Sequence, residues 1–196
     1  AFTPEILGRV ENQDLHGLGS ADMLVVTKQR FLPQAEKVAA LHQNHDGFEV
    51  EVVTDQQIFN EFSAGKSDPT AIRNFVRRIY RRSGPQDSLK YLLLFGDGSY
   101  DNRGAGKSPY LITYQSRESL HYSRSFVSDD FFGLLDPGDH IEQSPSGLID
   151  IGIGRFPVME TSEARQVVDK IERYLNRDNW GSWLNNLLFA ADDEDN

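Results

Sequence analysis

Tyr91-Leu-Leu-Leu-Phe-Gly-Asp-Gly-Ser-Tyr-Asp-Asn-Arg103 decides the fold. Its first five residues carry no charge and are apolar on both faces, the pattern of a central parallel strand covered on two sides. The strand runs straight into an acidic, glycine-rich loop. In an open α/β sheet ligands bind beyond the carboxyl ends of parallel strands, where loops present polar groups. Two other segments share the pattern, Ile149-Asp-Ile-Gly-Ile-Gly-Arg-Phe156 and Leu187-Leu-Phe-Ala-Ala-Asp-Asp193.

Outward from this strand the chain alternates. Met23-Leu-Val-Val-Thr27 is a β-rich run followed by a helical pattern with Leu32, Ala35, Val38, Ala39 and Leu41 inward. Phe48-Glu-Val-Glu-Val-Val53 alternates apolar and polar, as a strand near a sheet edge does, and Thr54 or Asp55 caps the short helix after it. Asp68-Pro69 opens a further helix to about Ser83, with Asp68 accepting from the first turn and Pro69 at its first position. Residues 96–148 form a long loop-rich insertion, a length that marks a functional region or an inserted hairpin. A strand at 148–154, a helix opened by Thr161 or Ser162, and a last strand at 187–191 complete the pattern. The expected fold is a three-layer α/β structure, a parallel sheet flanked by helices, spanning 1–196 as one unit with its acidic strand ends on one rim.

Composition narrows the function. Hydrophobic residues make up 38% of the chain and aromatics 11%, which supports a packed core and excludes a disordered chain. The net charge of −10 argues against nucleic acid, since phosphate neutralisation needs clustered Lys and Arg. Arg73, Arg77, Arg78, Arg81 and Arg82 do cluster, but on a helix whose other face is Ile72, Phe75, Val76 and Ile79, so they read as a solvated helix face. No cysteine is present, which removes disulfides, thiolate metal sites and a cysteine nucleophile from this chain. No run approaches the roughly 18 apolar residues of a membrane span.

No complete catalytic constellation stands in the sequence. Gly96-Asp97-Gly98 invites comparison with the phosphotransfer loop of haloacid-dehalogenase-like enzymes, but Phe95 occupies the position of the required nucleophilic aspartate. The segment also lacks the Gly-Lys-Ser/Thr ending of a phosphate cradle. A strand-exit turn is the expectation, with glycine supplying positive φ and Asp97 or Asp101 bonding local amides. Asp192-Asp193 resembles the magnesium pair of receiver domains but follows the last strand instead of the first. Asp97, Asp101, Asp129 and Asp130 are candidate calcium ligands, because calcium favours oxygen-rich loops, although no EF-hand pattern occurs and solvated loop carboxylates are the simpler description. The five histidines show no zinc spacing, and no Gly-x-Ser-x-Gly elbow is present.

Several ordered segments together resemble the gingipain family of cysteine peptidases. They are Asp68-Pro-Thr-Ala-Ile-Arg-Asn-Phe75, Lys90-Tyr-Leu-Leu-Leu-Phe-Gly-Asp-Gly-Ser-Tyr-Asp101, Val127-Ser-Asp-Asp-Phe-Phe-Gly133, Asp150-Ile-Gly-Ile-Gly-Arg-Phe-Pro157 and the terminal Ala-Asp-Asp. The resemblance, nearest to the sortase members of the type IX secretion system, covers most of the chain from about residue 20. It implies a caspase-like catalytic domain of two subdomains, of which this chain is the first, with the catalytic His and Cys in the second. It implies that Asp193, or its neighbour Asp192, is the acidic partner of that His. It further implies no required cofactor, an outer-membrane location at the cell surface, protein substrates bearing C-terminal secretion signals, and other secretion-system proteins as partners. The alternative is a non-catalytic α/β interaction module that binds partners, and calcium, through its acidic rim.

Overall fold

The structure, a computed structural model, describes residues 3, 9–82, 84, 89–102, 110–118, 120–142, 147–177 and 180–189. Four parallel strands form the sheet: β1 (Met23–Thr27), β2 (Val50–Thr54), β3 (Tyr91–Phe95) and β6 (Gly152–Phe156), in the order β2-β1-β3-β6. A two-residue antiparallel hairpin, β4 (Tyr114–Gln115) with β5 (Val127–Ser128), stands apart from it. β3 is thus interior, with Leu92 to Phe95 buried, and β2 lies at an edge, as their patterns require.

Alternation of side chains along the strands sorts the core into two layers. Leu24, Val26, Leu92 and Leu94 point to one face, where helix α2 (Asp55–Phe62) and helix α3 (Pro69–Arg82) supply Ile58, Phe59, Ile72, Phe75 and Ile79. Met23, Val25, Leu93 and Phe95 point to the other, against Ala35 and Val38 of α1 (Leu32–Asp46) and Ala164 and Val168 of α4 (Thr161–Leu175). The three-layer architecture follows directly. Helix caps obey local chemistry: Thr54 and Gln57 form a capping box on α2, and Asp68 accepts from the Thr70 amide at 2.8 Å. On α4 the box is built by Glu160 and Glu163, so the cap lies one residue before Thr161.

Three expectations need correction. The strand expected at 148–154 begins at Gly152, because register with Tyr91–Phe95 selects 152–156, leaving Leu148 and Ile149 exposed and Asp150 at the strand's amino end, where it accepts from the Leu135 amide. The described part of the strand expected at 187–191 pairs with nothing, and Leu187, Leu188 and Phe189 are 83, 95 and 86% exposed. The arginines of α3 are not all a solvated face either. Arg73 and Arg77 donate to the Leu134 carbonyl, and Arg78 and Arg82 donate to that of His16, so the helix clamps two loops by their unpaired carbonyls.

The second clamped loop is a strap of residues 13–18 laid across α2 and α3. Glu61 fastens it by accepting from the Leu15 amide at 2.8 Å, Gln13 Nε2 at 2.8 Å and His16 Nδ1 at 2.7 Å. Desolvation pushes the Glu61 carboxyl up, but these hydrogen bonds outweigh it and hold the group down from its ordinary 4.5 to about 2. Folding therefore binds fewer protons at this site than unfolding does. Its contribution is complete above about 4.5 and drains away as pH falls towards 2. Glu61→Gln should lower stability by about 1–2 kcal/mol at pH 7 and flatten the acid limb of a Tm-versus-pH curve; an unchanged limb would refute the role of the carboxylate.

Candidate functional site

The carboxyl ends of β1, β3 and β6 make a rim. At β1 the Thr27 hydroxyl donates to the Phe95 carbonyl at 3.1 Å, and Lys28 pairs with Asp55 at 2.7 Å, with only 12% and 6% of the two side chains exposed. Burial pushes the Asp55 carboxyl up, opposed by the Lys28 ammonium, so the pair is held together by mutual need in a poorly solvated place.

At β3 the chain turns through the Gly96-Asp97-Gly98 loop. The Gly96 amide donates to Phe156 and the Asp97 amide to Val158, both at 3.0 Å, while the Leu111 amide donates to the Asp97 carbonyl at 2.8 Å. Gly96 sits at φ +150°, and a Cβ there would lie 3.2 Å from that of Leu111. At Gly98 a Cβ would lie 2.5 Å from Thr113 Cγ2, a collision that only glycine avoids. Asp97 Oδ1 accepts from the Gly98 amide at 2.8 Å. The loop is the strand-exit turn expected of it.

Arg155, the fourth residue of β6, organises this rim and has no role in the sequence reading. Its Nε and one Nη donate to both oxygens of Asp129 at 2.7 Å. Its remaining donors reach the carbonyls of Gly96 at 2.9 Å and of Leu111 and Ile112 at 3.4 Å. All five N–H groups of the guanidinium are thereby used. An arginine near the end of a strand of glycine and isoleucine was the available signal, since a charged side chain largely withdrawn from water needs a fixed partner.

A cavity of about 240 Å³ opens beside this arrangement, lined by Asp97, Ser99, Tyr100, Thr113, Asp129 and Arg155. Asp97 and Asp129 are brought together here; Asp101 and Asp130 do not line it and lie exposed. Arg155 occupies both oxygens of Asp129, so the four aspartates do not assemble the six to eight oxygen ligands that calcium takes. Among the described residues no three His, Asp or Glu side chains are grouped to hold a metal. Asp192 and Asp193 lie outside the described residues.

No histidine lines the rim cavity. His42 and His45 pair with Asp46 at the far end of α1, and His16 is taken by Glu61. Ser123 Oγ lies 3.2 Å from His121 Nδ1, but on an exposed turn between β4 and β5. A larger cavity of about 560 Å³, walled by Met23, Phe48, Tyr91 and Leu93, is apolar and sits towards the amino ends of the strands. The described rim therefore offers a shaped, acidic wall without a nucleophile or a general base in reach of one another.

The model of peptidase family C25 matches residues 16–196. The crystal structure of dimeric latent PorU from Porphyromonas gingivalis aligns with a TM-score of 0.72 and 38% identity, over 89% of this chain. The complex of the pro- and mature domains of RgpB from the same organism aligns with a TM-score of 0.53 over 78% of this chain, at an identity of 20% that speaks for fold alone. This chain spans 17% of the PorU chain and 28% of the RgpB chain. No curated protein sequence matches it. A four-stranded parallel sheet with this rim, together with the family match over nearly its whole length, assigns the chain to peptidase family C25, the gingipain family of cysteine peptidases.

Proposed function

We infer that the chain is the first subdomain of a gingipain-like cysteine endopeptidase of the sortase kind, which processes C-terminal signals of secreted proteins at the outer membrane. The observation that carries the reading is 38% identity to PorU over 89% of this chain, joined to a sequence of 196 residues without a cysteine. On this reading the chain is inactive alone. It supplies scaffold, one wall of the cleft, and a carboxylate for a histidine carried by a second subdomain.

Asp193 is assigned that role, with Asp192 as its neighbour. A carboxylate accepting from the imidazole N–H holds the ring in one tautomer and stabilises its charged form. The ring in turn keeps the cysteine as thiolate, which attacks the substrate carbonyl, and passes a proton to the departing amine. The acyl group then moves from sulfur to water or, in a sortase, to an amine of a lipopolysaccharide acceptor.

The test extends the chain past Asn196 and assays peptide cleavage. Activity should appear only in the extended protein and vanish when the first downstream cysteine following a His-Gly segment is replaced by alanine. Unchanged cleavage in that variant would sink the assignment.

A further inference from the structure

The strap over α2 and α3 is held unlike the rest of the fold. It lends the core one buried side chain, Leu15, and pairs with no strand of the sheet. Its ties run mainly to three charged side chains. Besides the Leu15 amide, Gln13 and the His16 ring, the Glu61 carboxylate accepts from the His16 amide at 3.1 Å, so four donors of the strap converge on one group. From the other side Arg78 and Arg82 both donate to the His16 carbonyl, and Arg82 also reaches that of Leu18 at 2.8 Å. Residues 9–12 before the strap and Gly19 and Ser20 after it are exposed and belong to no helix or strand. A Cβ on Gly19 would meet nothing within 4 Å, so the chain has room to swing there.

Segments with few buried apolar contacts and hydrogen bonds near water open at the lowest cost, whereas interior strands open only when the whole domain unfolds. The strap belongs to the first kind, and β3, buried from Leu92 to Phe95 between two layers, to the second. We propose that residues 13–18 form a latched lid over the groove between α2 and α3, which lifts as one unit about Gly19 while the sheet stays folded, with Glu61 as the latch. Four bonds share one carboxylate, so displacing that group frees the strap at all four points together. The bonds from Arg78 and Arg82 are exposed, and on lifting their donors return to water without leaving a buried charge stranded. What the lid covers is aromatic: the His16 ring stacks on Phe62 with centres 4.5 Å apart, and Phe62 in turn meets Phe75 edge-on at 5.6 Å. Leu15 seats in the same core cluster as Phe75 and is the one apolar anchor that must leave it.

Native-state hydrogen exchange in this chain tests the lid. The amides of Leu15 and His16 should be protected about 100-fold less than those of Leu92 and Leu93, at rates that do not change when a little urea is added, because a local opening exposes little new surface. Loss of protection in step with Leu92 and Leu93, with the same dependence on urea, would mean that the strap lets go only as the domain unfolds and overturns the proposal. Absence of any protection at Leu15 and His16 overturns it equally, since the lid would never be shut. Glu61→Gln tests the latch. Both amides should lose protection by roughly tenfold, the worth of a charge-assisted hydrogen bond, with exchange still independent of urea; unchanged protection removes Glu61 from the role. Arg78→Ala should cost the same amides less, and an equal or larger loss there overturns the assignment of the latch to the carboxylate. The first measurement uses the natural sequence, so it decides the lid whether or not either variant folds.

Discussion

Replacing Arg155 with alanine should destabilise this domain by about 3 kcal/mol, because breaking a largely buried ion pair leaves its partner charge uncompensated. Its side chain is 12% exposed and that of Asp129 is 26% exposed, so water reaches Asp129 in part and holds the loss below that of a fully buried pair. Three carbonyls, those of Gly96, Leu111 and Ile112, lose donors in the same step. Arg155→Lys keeps the charge but offers three donors on a point-like head in place of a planar fork, and should recover only part of the loss. Urea unfolding of both variants checks this. A loss below about 1 kcal/mol for alanine, the worth of an exposed pair, would mean that the rim does not depend on the guanidinium. Hydrogen exchange gives the spatial check: the amides of Gly96, Asp97 and Leu111 should lose protection before those of Leu92 and Leu93, since only the rim is tied through Arg155.

On the proposed reading, Asp193→Asn should lower kcat/KM of the protein extended past Asn196 by roughly 10²- to 10⁴-fold, the upper figure being the loss when a triad aspartate becomes asparagine and the imidazole is held in the wrong tautomer. The expected signature is a fall in kcat with little change in KM, because the carboxylate acts on the histidine and does not touch substrate. Asp192→Asn should cost far less. If the two variants exchange places, the neighbouring carboxylate is the partner; if neither lowers kcat/KM by tenfold, the acidic partner lies elsewhere in the protein. Cleavage measured from pH 5 to 9 adds a further discriminant. Loss of a carboxylate partner lowers the pKa of the histidine it faces, so the alkaline limb of the profile, where the imidazolium of the ion pair is lost, should move to lower pH in the correct variant.

Much of the sheet was legible because its signals are local and periodic. Leu92 to Phe95 are apolar on both faces, and the structure puts that strand inside the sheet; Phe48 to Val53 alternate, and β2 lies at the edge. The caps at Thr54 and Asp68 were readable for the same reason, since a cap joins residues two or three apart. The strand at β6 was misplaced by four residues at its start. Leu148 and Ile149 have the side chains of a strand, but the hydrogen-bond register with Tyr91 to Phe95 decides which five residues pair, and that register is a property of two segments at once.

The candidate site divides along the same line. The Gly96-Asp97-Gly98 turn was read correctly because glycine's tolerance of positive φ is visible in any sequence. Asp97 and Asp129 were grouped as calcium ligands on composition alone, and the structure shows one of them committed to Arg155. The arginines of α3 looked like solvent-facing charge, since a helical wheel places them opposite Phe75 and Val76 but cannot show the loops that pass over that side. Arg73 stacks 4.8 Å from the centre of the Phe131 ring, a contact across 58 positions of chain that no local pattern encodes.

By itself the sequence determined the α/β class, the central strand, the turn chemistry, the lack of a cysteine nucleophile and the family, because each is carried by residue identity over short windows. The tertiary structure decided which charges are partnered, where β6 begins, and that the long 96–148 region contributes Leu111, Ile112, Phe131 and Phe132 to the core. These depend on groups brought together from distant positions. The free energy of a charge or an apolar surface is set by what lies against it, and only the folded chain specifies that neighbour.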